Sequence, residues 1–425
     1  MPTFKIAIIG AGPSGCTLAR LLLHRNVDVD VTIFESEKAI NSRTQGGTLD
    51  LHTASGIKAL QQCGLYDEFL KLARFDAEAF RLCNKHMQSF VHFKGTKDAK
   101  NTRGRPEIDR IQLRQLLLDA LPHDIIRWNH HLKSVEEING RYHLHFRDRP
   151  SETGFDLVVG GDGCWSHVRS LLTDEKPYYS GISGVTFLIS NPKDMHPDLY
   201  ELVDRGSLFA IADHRSVMAQ QLGSGSITVS YWSVHPEDWV KQFESRIEDV
   251  EFVKQIVLKD LEGWDPRLRQ FIESADGGVV PRNLYMLPVG NRWKNRLGIT
   301  LLGDAAHVMT PFAGEGVNLA MTDAMKLAGF IETAATAGTT EALITSIKAY
   351  EEDMFERAKI VQKQTYDMMS ASFLDDGGLD KNIEQYVTTA AADEIPGFLK
   401  PVFRMAAKCY FKVWRWRNPN PEATS

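Results

Sequence analysis

Within its first fifteen residues the chain carries a spacing that could hold a phosphate. Gly10-Ala11-Gly12-Pro13-Ser14-Gly15 fits GxGxxG. Glycines so placed let the backbone turn tightly, approach a pyrophosphate and aim the positive end of the next helix at it. Glu35 stands twenty-five residues beyond Gly10. At the end of a second strand its carboxylate can accept hydrogen bonds from a ribose diol. The alternative is a glycine turn beside a surface glutamate. The flanking strand, helix and acid together favour dinucleotide binding.

Two more glycine corners follow. Residues 156 to 163 read Asp156-Leu157-Val158-Val159-Gly160-Gly161-Asp162-Gly163, with Ser166 and Arg169 behind them. Residues 303 to 307 read Gly303-Asp304-Ala305-Ala306-His307, then Pro311 and Gly314-Glu315-Gly316-Val317-Asn318. Either could be an ordinary strand-to-helix turn, with Asp304 as a cap. Read as chemistry, Asp304 sits where a carboxylate would bind the hydroxyls of a dinucleotide tail. Gly314 and Gly316 would expose backbone N–H groups, at a helix start, to developing negative charge. His307 could act as a base, but packing or capping is the stronger reading. In the second corner Ser166 takes the place of the third glycine, and after Gly223-x-Gly225 Thr228 does. One bound dinucleotide is therefore expected, not two.

The elements that must position these corners can be read from apolar patterning. Residues 4 to 9, 155 to 160 and 297 to 302 are unbroken apolar runs, the mark of strands buried in a parallel sheet. Residues 29 to 34 complete a βαβ unit with the helix that starts at Cys16. Residues 55 to 73, 110 to 121, 237 to 275, 317 to 336 and 341 to 373 have helical character, and 141 to 147 alternate as a half-exposed strand. Residues 180 to 235 are rich in Ser, Thr, Val, Phe and Tyr, which predicts an antiparallel sheet. Parallel-sheet elements lie on both sides of it, so one domain must be built from discontinuous segments.

The chain has 425 residues, 43% apolar and 24% charged, which excludes disorder and fibrous repeats. Its 49 basic against 55 acidic side chains give a net charge of −6, without the basic excess of a nucleic-acid binder. Cys16, Cys63, Cys83, Cys164 and Cys409 are scattered, with no zinc-ligand or redox spacing. No metal is expected. Neither a leader nor a membrane-spanning run is legible, and the expectation is a cytoplasmic monomer.

The three corners, in this order and at these separations, resemble the single-component aromatic hydroxylases that use FAD, the class A flavoprotein monooxygenases. Gly46-Gly47-Thr48-Leu49-Asp50-Leu51-His52, Pro106-Glu107-Ile108-Asp109-Arg110 with Arg114, and residues 303 to 318 are similar in particular to the tetracycline-inactivating flavin monooxygenases. The likeness spans roughly residues 4 to 373.

The resemblance implies an α/β fold: a Rossmann-like FAD-binding domain of discontinuous segments (1–74, 104–178 and 282–340) and an antiparallel β-sheet substrate domain (75–103 and 179–281). C-terminal helices (341–417) would bridge the two, ahead of a flexible tail (418–425). FAD is the implied cofactor, with NADPH or NADH as co-substrate, and O₂ held as a flavin C4a-hydroperoxide. No protein side chain is then needed as catalyst. Gly10, Gly12, Gly15 and Glu35 would hold the adenosine half; Asp50, Arg114, Asp162 and Asp304 would contact FAD. Arg43 would face the nicotinamide. Pro311, Gly314, Glu315, Gly316, Val317 and Asn318 would line the flavin ring.

Glu315 stands where this branch usually has the glutamine of a GQG turn. Thr186, Ser207 and Thr228 fall where the branch carries polar substrate contacts, and Phe209 and Phe312 join them as expected substrate-binding residues. A site with fewer buried polar partners discriminates less for a polyhydroxylated ligand. The expected substrate is an aromatic or polycyclic, polyketide-like small molecule. Two rivals stay open: a flavin reductase or dehydrogenase that never activates O₂, and a non-catalytic flavin-based ligand sensor. Residues 396 to 418 contain no acid and form a basic amphipathic helix. It would either pack on its own domains or make a weak membrane-surface contact.

Overall fold

The computed structural model describes residues 4–39, 46–94, 104–139, 141–243, 245–392 and 395–419. They divide into two compact units. The first takes in Met1–Arg74, Gly104–Tyr178 and Tyr285–Lys363; the second takes in Phe75–Arg103, Tyr179–Leu284 and Gln364–Ser425.

The centre of the first unit is a parallel sheet in the order Ile299–Leu301, Leu157–Gly160, Phe4–Ile9, Val29–Phe34, Ile126–Arg127. Its strands read as unbroken apolar runs because both faces are covered: Ile6, Ile8, Leu157, Val159 and Leu301 are all fully buried. Pro13–His24 and the long helix Gly316–Ala337 pack against the same core through Leu18, Leu21, Met321, Leu327 and Ile331. Each such burial contributes roughly 1.5–3 kcal/mol before the ordering entropy is set against it. Thr48–Asp50 pairs antiparallel with Glu107–Asp109. There Arg74 donates to Thr48 Oγ1 and to the Glu107 and Asp109 carboxylates. Burial pushes the Glu107 carboxyl up to about 8, against the pull of Arg74.

The second unit is built on a seven-stranded sheet in the order Gly277–Met286, Tyr178–Ile189, Ile227–Val234, Arg215–Gln221, Ser207–Ala212, Phe80–Cys83, Ser89–Phe93. The expected antiparallel sheet is present, with two departures. Ser207–Ala212 runs parallel to Phe80–Cys83, and two short helices, Pro192–Met195 and Pro197–Val203, interrupt the sequence between strands. Both helices begin with Pro at the first position, where a missing N–H costs nothing. Val185, Phe187, Leu208, Ala210, Val217, Ala219, Val229 and Tyr231 alternate onto one face and form that unit's core with Val253, Val257, Leu268 and Phe271.

Candidate functional site

The three glycine corners meet at the C-terminal ends of adjacent strands in the first unit, where open α/β sheets bind their ligands. A Cβ on Gly10 would fall 2.4 Å from the Gly161 carbonyl oxygen, and Gly10 has φ +105°, so only glycine serves there. The Gly161 N–H donates to Ile9 O (2.8 Å). A Cβ on Gly303 would lie 3.1 Å from Ser14 Oγ, which brings the third corner beside the first. Arg169 ties the second corner to the third, donating to Cys164 O (2.6 Å) and Ala305 O (2.9 Å). By contrast, a side chain on Gly12, Gly163 or Gly316 would meet nothing within 4 Å. The corners press on one another at Gly10 and Gly303, while Gly12, Gly163 and Gly316 each face open space.

Glu35 is buried, and its carboxylate holds this loop in shape. Oε2 accepts from the Ala11 N–H (2.7 Å), while Oε1 accepts from Ser36 Oγ and the Glu37 N–H. Arg114 braces the loop from another element, with Nη2 2.8 Å from Glu37 Oε2 and Nε donating to Ala11 O (3.4 Å). Asp162 caps its own turn, accepting from Ser166 Oγ and the His167 and Val168 N–H groups. Burial raises its carboxyl above the usual range, against those bonds. Asp304, at the first position of the helical turn Asp304–His307, is exposed.

The 303–318 segment meets the 50–56 segment through Asn318. Its Oδ1 accepts from the His52 N–H (2.9 Å), Ser55 Oγ (3.1 Å) and the Gly56 N–H (3.3 Å), and its Nδ2 donates to Asp50 O (2.9 Å). Asp50 thereby sits below Gly314, a Cβ on which would lie 3.4 Å from Asp50 Oδ1. His52 lies between two carboxylates, Nε2 3.0 Å from Asp50 Oδ2 and Nδ1 3.2 Å from Glu315 Oε1. Burial works to depress it, but these hydrogen bonds and charges outweigh burial and push it up to about 9. Both ring nitrogens therefore donate at neutral pH. Glu315, the departure from GQG, has a cationic partner here.

Two residues central to this geometry, His52 and Asp323, carry no role in the motif reading. Fully buried Asp323 accepts from the Gly303 N–H (3.0 Å), faces His307 Nε2 (2.6 Å) and takes Arg357 Nη1 (2.8 Å). Burial would raise its carboxyl, but His307 and Arg357 hold it below the usual range. His307 is thus a buried strut under the corner. The legible signal for Asp323 was an acid on the apolar face of the helix that begins at Gly316.

The remaining predicted residues sort by unit. Val317 packs on the first unit's core, and Pro311 and Phe312 lie in the turn Pro311–Ala313. Arg43 lies outside the described residues. In the second unit, cross-strand register puts Phe209, Met218, Ser230 and Thr186 in one row, with Ser207, Gln220 and Thr228 in the next. Thr186, Ser207, Phe209 and Thr228 thus share the sheet face opposite the apolar core. Phe80 stacks edge-on against Phe209 at 5.3 Å, and Thr186 Oγ1 lies 3.1 Å from Ser230 Oγ. Ser230 was legible as the period-2 neighbour of Thr228, whereas Phe80, Met218 and Gln220 join this face through cross-strand register alone.

The chain matches the family model described as FAD binding domain over residues 3–365. It is 31% identical to Monooxygenase asqM of Emericella nidulans, over 87% of this chain and 96% of that one. Among solved structures it resembles Klebsiella pneumoniae HpxO complexed with FAD and uric acid, with a TM-score of 0.74, 18% identity and coverage of 95% and 96% of the two chains. It also resembles tetracycline destructase Tet(51), with a TM-score of 0.68, 19% identity and coverage of 95% and 98%. These two likenesses are of fold. A family match over most of the chain, and 31% identity to a monooxygenase along nearly its whole length, lead where the three glycine corners point: this protein belongs to the FAD binding domain family and is an FAD-dependent monooxygenase.

Proposed function

We propose that the enzyme consumes NADH or NADPH and hydroxylates an aromatic or polycyclic small molecule, working as a monomer in the cytoplasm. The observation that carries the cofactor part of this reading is that Gly12, Gly163 and Gly316 face open space beside corners that lock together at Gly10 and Gly303. The substrate part rests on the mixed apolar and hydroxyl face of the second unit's sheet. The residues fit FAD. Gly10 to Gly15 would take its pyrophosphate at the start of Pro13–His24, Glu35 its ribose, and Asp304 the hydroxyls of its tail. Gly314 to Asn318 would face its ring. When bound and reduced by NAD(P)H, FAD supplies activation of O₂ and transfer of one oxygen atom.

The chain's own residues then orient, neutralise and exclude water. The 22-residue helix Gly316–Ala337 has no side-chain cap, and its N-terminus would face the bound ring. Its free N–H groups favour negative charge there. Asn318 fixes Asp50 and His52 against that helix start, so protonated His52 adds a second positive group. Thr186, Ser207, Phe209 and Thr228, with Met218 and Ser230, offer a mixed apolar and hydroxyl face suited to a flat ring system. None of these side chains is charged, which favours uncharged ligands over ionised ones.

The test is oxygen uptake and NAD(P)H oxidation by the reconstituted protein across aromatic polyketides, tetracyclines included. The expected result is substrate-stimulated uptake with a product one oxygen atom heavier. NAD(P)H oxidation with no oxygenated product from any ligand would favour the reductase reading.

A further inference from the structure

Chain end and fold core part company at the helix Lys400–Arg417. Its inner face is fully accounted for. Ala407 and Phe411 are buried, and Phe90 packs on Trp414 (4.6 Å) and Phe411 (6.4 Å). The Trp414 indole donates to Ser89 O (2.9 Å). Arg415 is clamped by the Glu384 carboxylate at 2.7 Å. These contacts fix the helix rotationally.

The face turned away from them should be polar in a surface helix, and it is not. Phe398, Val402, Met405, Cys409, Val413 and Trp416 follow one another at three- and four-residue steps, so they form one stripe along the outside. Phe398 and Trp416 are each 79% exposed, Met405 66% and Val402 65%. Single exposed apolar residues need no explanation, but a continuous stripe of this kind does. Lys408 and Lys412 flank it on one side and Arg417 on the other, and residues 396 to 418 hold no acid. Arg404 and Lys408 also line, with Lys381 of the preceding helix Gly378–Ala390, a groove beside the stripe. Glu384, in the same groove, is already neutralised by Arg415.

We propose that this outer face seats on an anionic phospholipid surface. The helix would lie in the plane of the headgroups, with its stripe in the acyl boundary and lipid phosphates against the flanking Lys408, Lys412 and Arg417. The features match that occupant point by point. An interfacial helix combines one apolar face with flanking cations, and the negative leaflet attracts those cations. Among the described residues no helix is long and apolar enough to cross a membrane, so the contact is peripheral. An antiparallel second copy seated on the stripe would bring Lys408 and Lys412 against the same cations, which like charge disfavours.

The experiment is vesicle co-sedimentation of the full-length, FAD-reconstituted protein. It compares phosphatidylcholine alone, phosphatidylcholine mixed with phosphatidylserine, and the mixed vesicles at high salt. Binding is expected on the mixed vesicles and about tenfold weaker on neutral ones or in high salt. Met405→Ser with Trp416→Ser is expected to lower binding by about tenfold or more. Lys408→Glu with Lys412→Glu should remove the preference for anionic lipid. All four side chains point to solvent, so flavin content and melting temperature should stay unchanged and confirm that the variants fold. The proposal is overturned by absence of binding to every vesicle, or by binding indifferent to lipid charge and to both double substitutions. A dimer in sedimentation velocity that dissociates with Met405→Ser and Trp416→Ser would also overturn it, by assigning the stripe to a second copy.

Discussion

His52 gains charge from its two carboxylate neighbours, and that makes the site's stability depend on pH. Its folded value of about 9 lies above the ordinary 6.5. The contribution is therefore fully present below about pH 6.5 and lost as pH rises through about 9. For the FAD-free protein we expect unfolding free energy to fall by on the order of 2 kcal/mol across that window. His52→Gln should flatten the profile in denaturant titrations; an unchanged slope would remove the role assigned to the Asp50–His52–Glu315 cluster. Asn318 and Asp304 give a complementary pair. Asn318→Ala strands buried donors of the 52–56 segment, so we expect a loss of about 2–4 kcal/mol of stability together with weaker FAD binding. Asp304→Ala touches an exposed side chain. It should lower bound flavin after gel filtration while leaving the melting temperature within error.

At the scale of elements, the glycine loop between the strand Phe4–Ile9 and the helix Pro13–His24 separates folding from binding. Gly10→Ala would set a Cβ against the Gly161 carbonyl at a left-handed φ. The expected cost is at least about 2 kcal/mol, with lower soluble yield and melting temperature. Gly12→Ala meets no atom of the protein. It should fold normally and yet bind FAD at least about tenfold more weakly, because the added methyl occupies the space meant for phosphate. Circular dichroism and flavin fluorescence on the two variants would distinguish these effects. Equal FAD affinity for Gly12→Ala and the parent would mean that the pyrophosphate lies elsewhere. The same logic explains Asp323, His307 and Arg357, which hold the third corner from below while Asp304 stays free above.

For the molecule as a whole, the cradle is assembled from segments near residues 10, 50, 160 and 310. Filling it should therefore stabilise the first unit along most of its length. FAD at a hundredfold excess over its dissociation constant should add about 2.7 kcal/mol, read as a rise in melting temperature of several degrees. NAD(P)H without FAD should leave the melting temperature nearly unchanged. A scan in which FAD shifts nothing would contradict the assignment of the cradle.

Much of this protein was legible in the chain because its signals are local. A GxGxxG between an apolar run and an apolar-faced helix declares a βαβ unit, since backbone sterics and strand burial act over a few residues. The corners by themselves pointed to one dinucleotide, and only their resemblance to a known family made it FAD. A composition rich in Ser, Thr, Val, Phe and Tyr between residues 180 and 235 announced the sheet. What the chain could not declare are relations between residues far apart in sequence: the clasp of Asn318 on the 50–56 segment, the carboxylates around His52, and Asp323 under Gly303. Nor could periodicity tell which side of Lys400–Arg417 meets the core, because both sides carry aromatic residues. Hydrogen bonds and burial depend on the fold that brings the groups together, so only tertiary structure decided them.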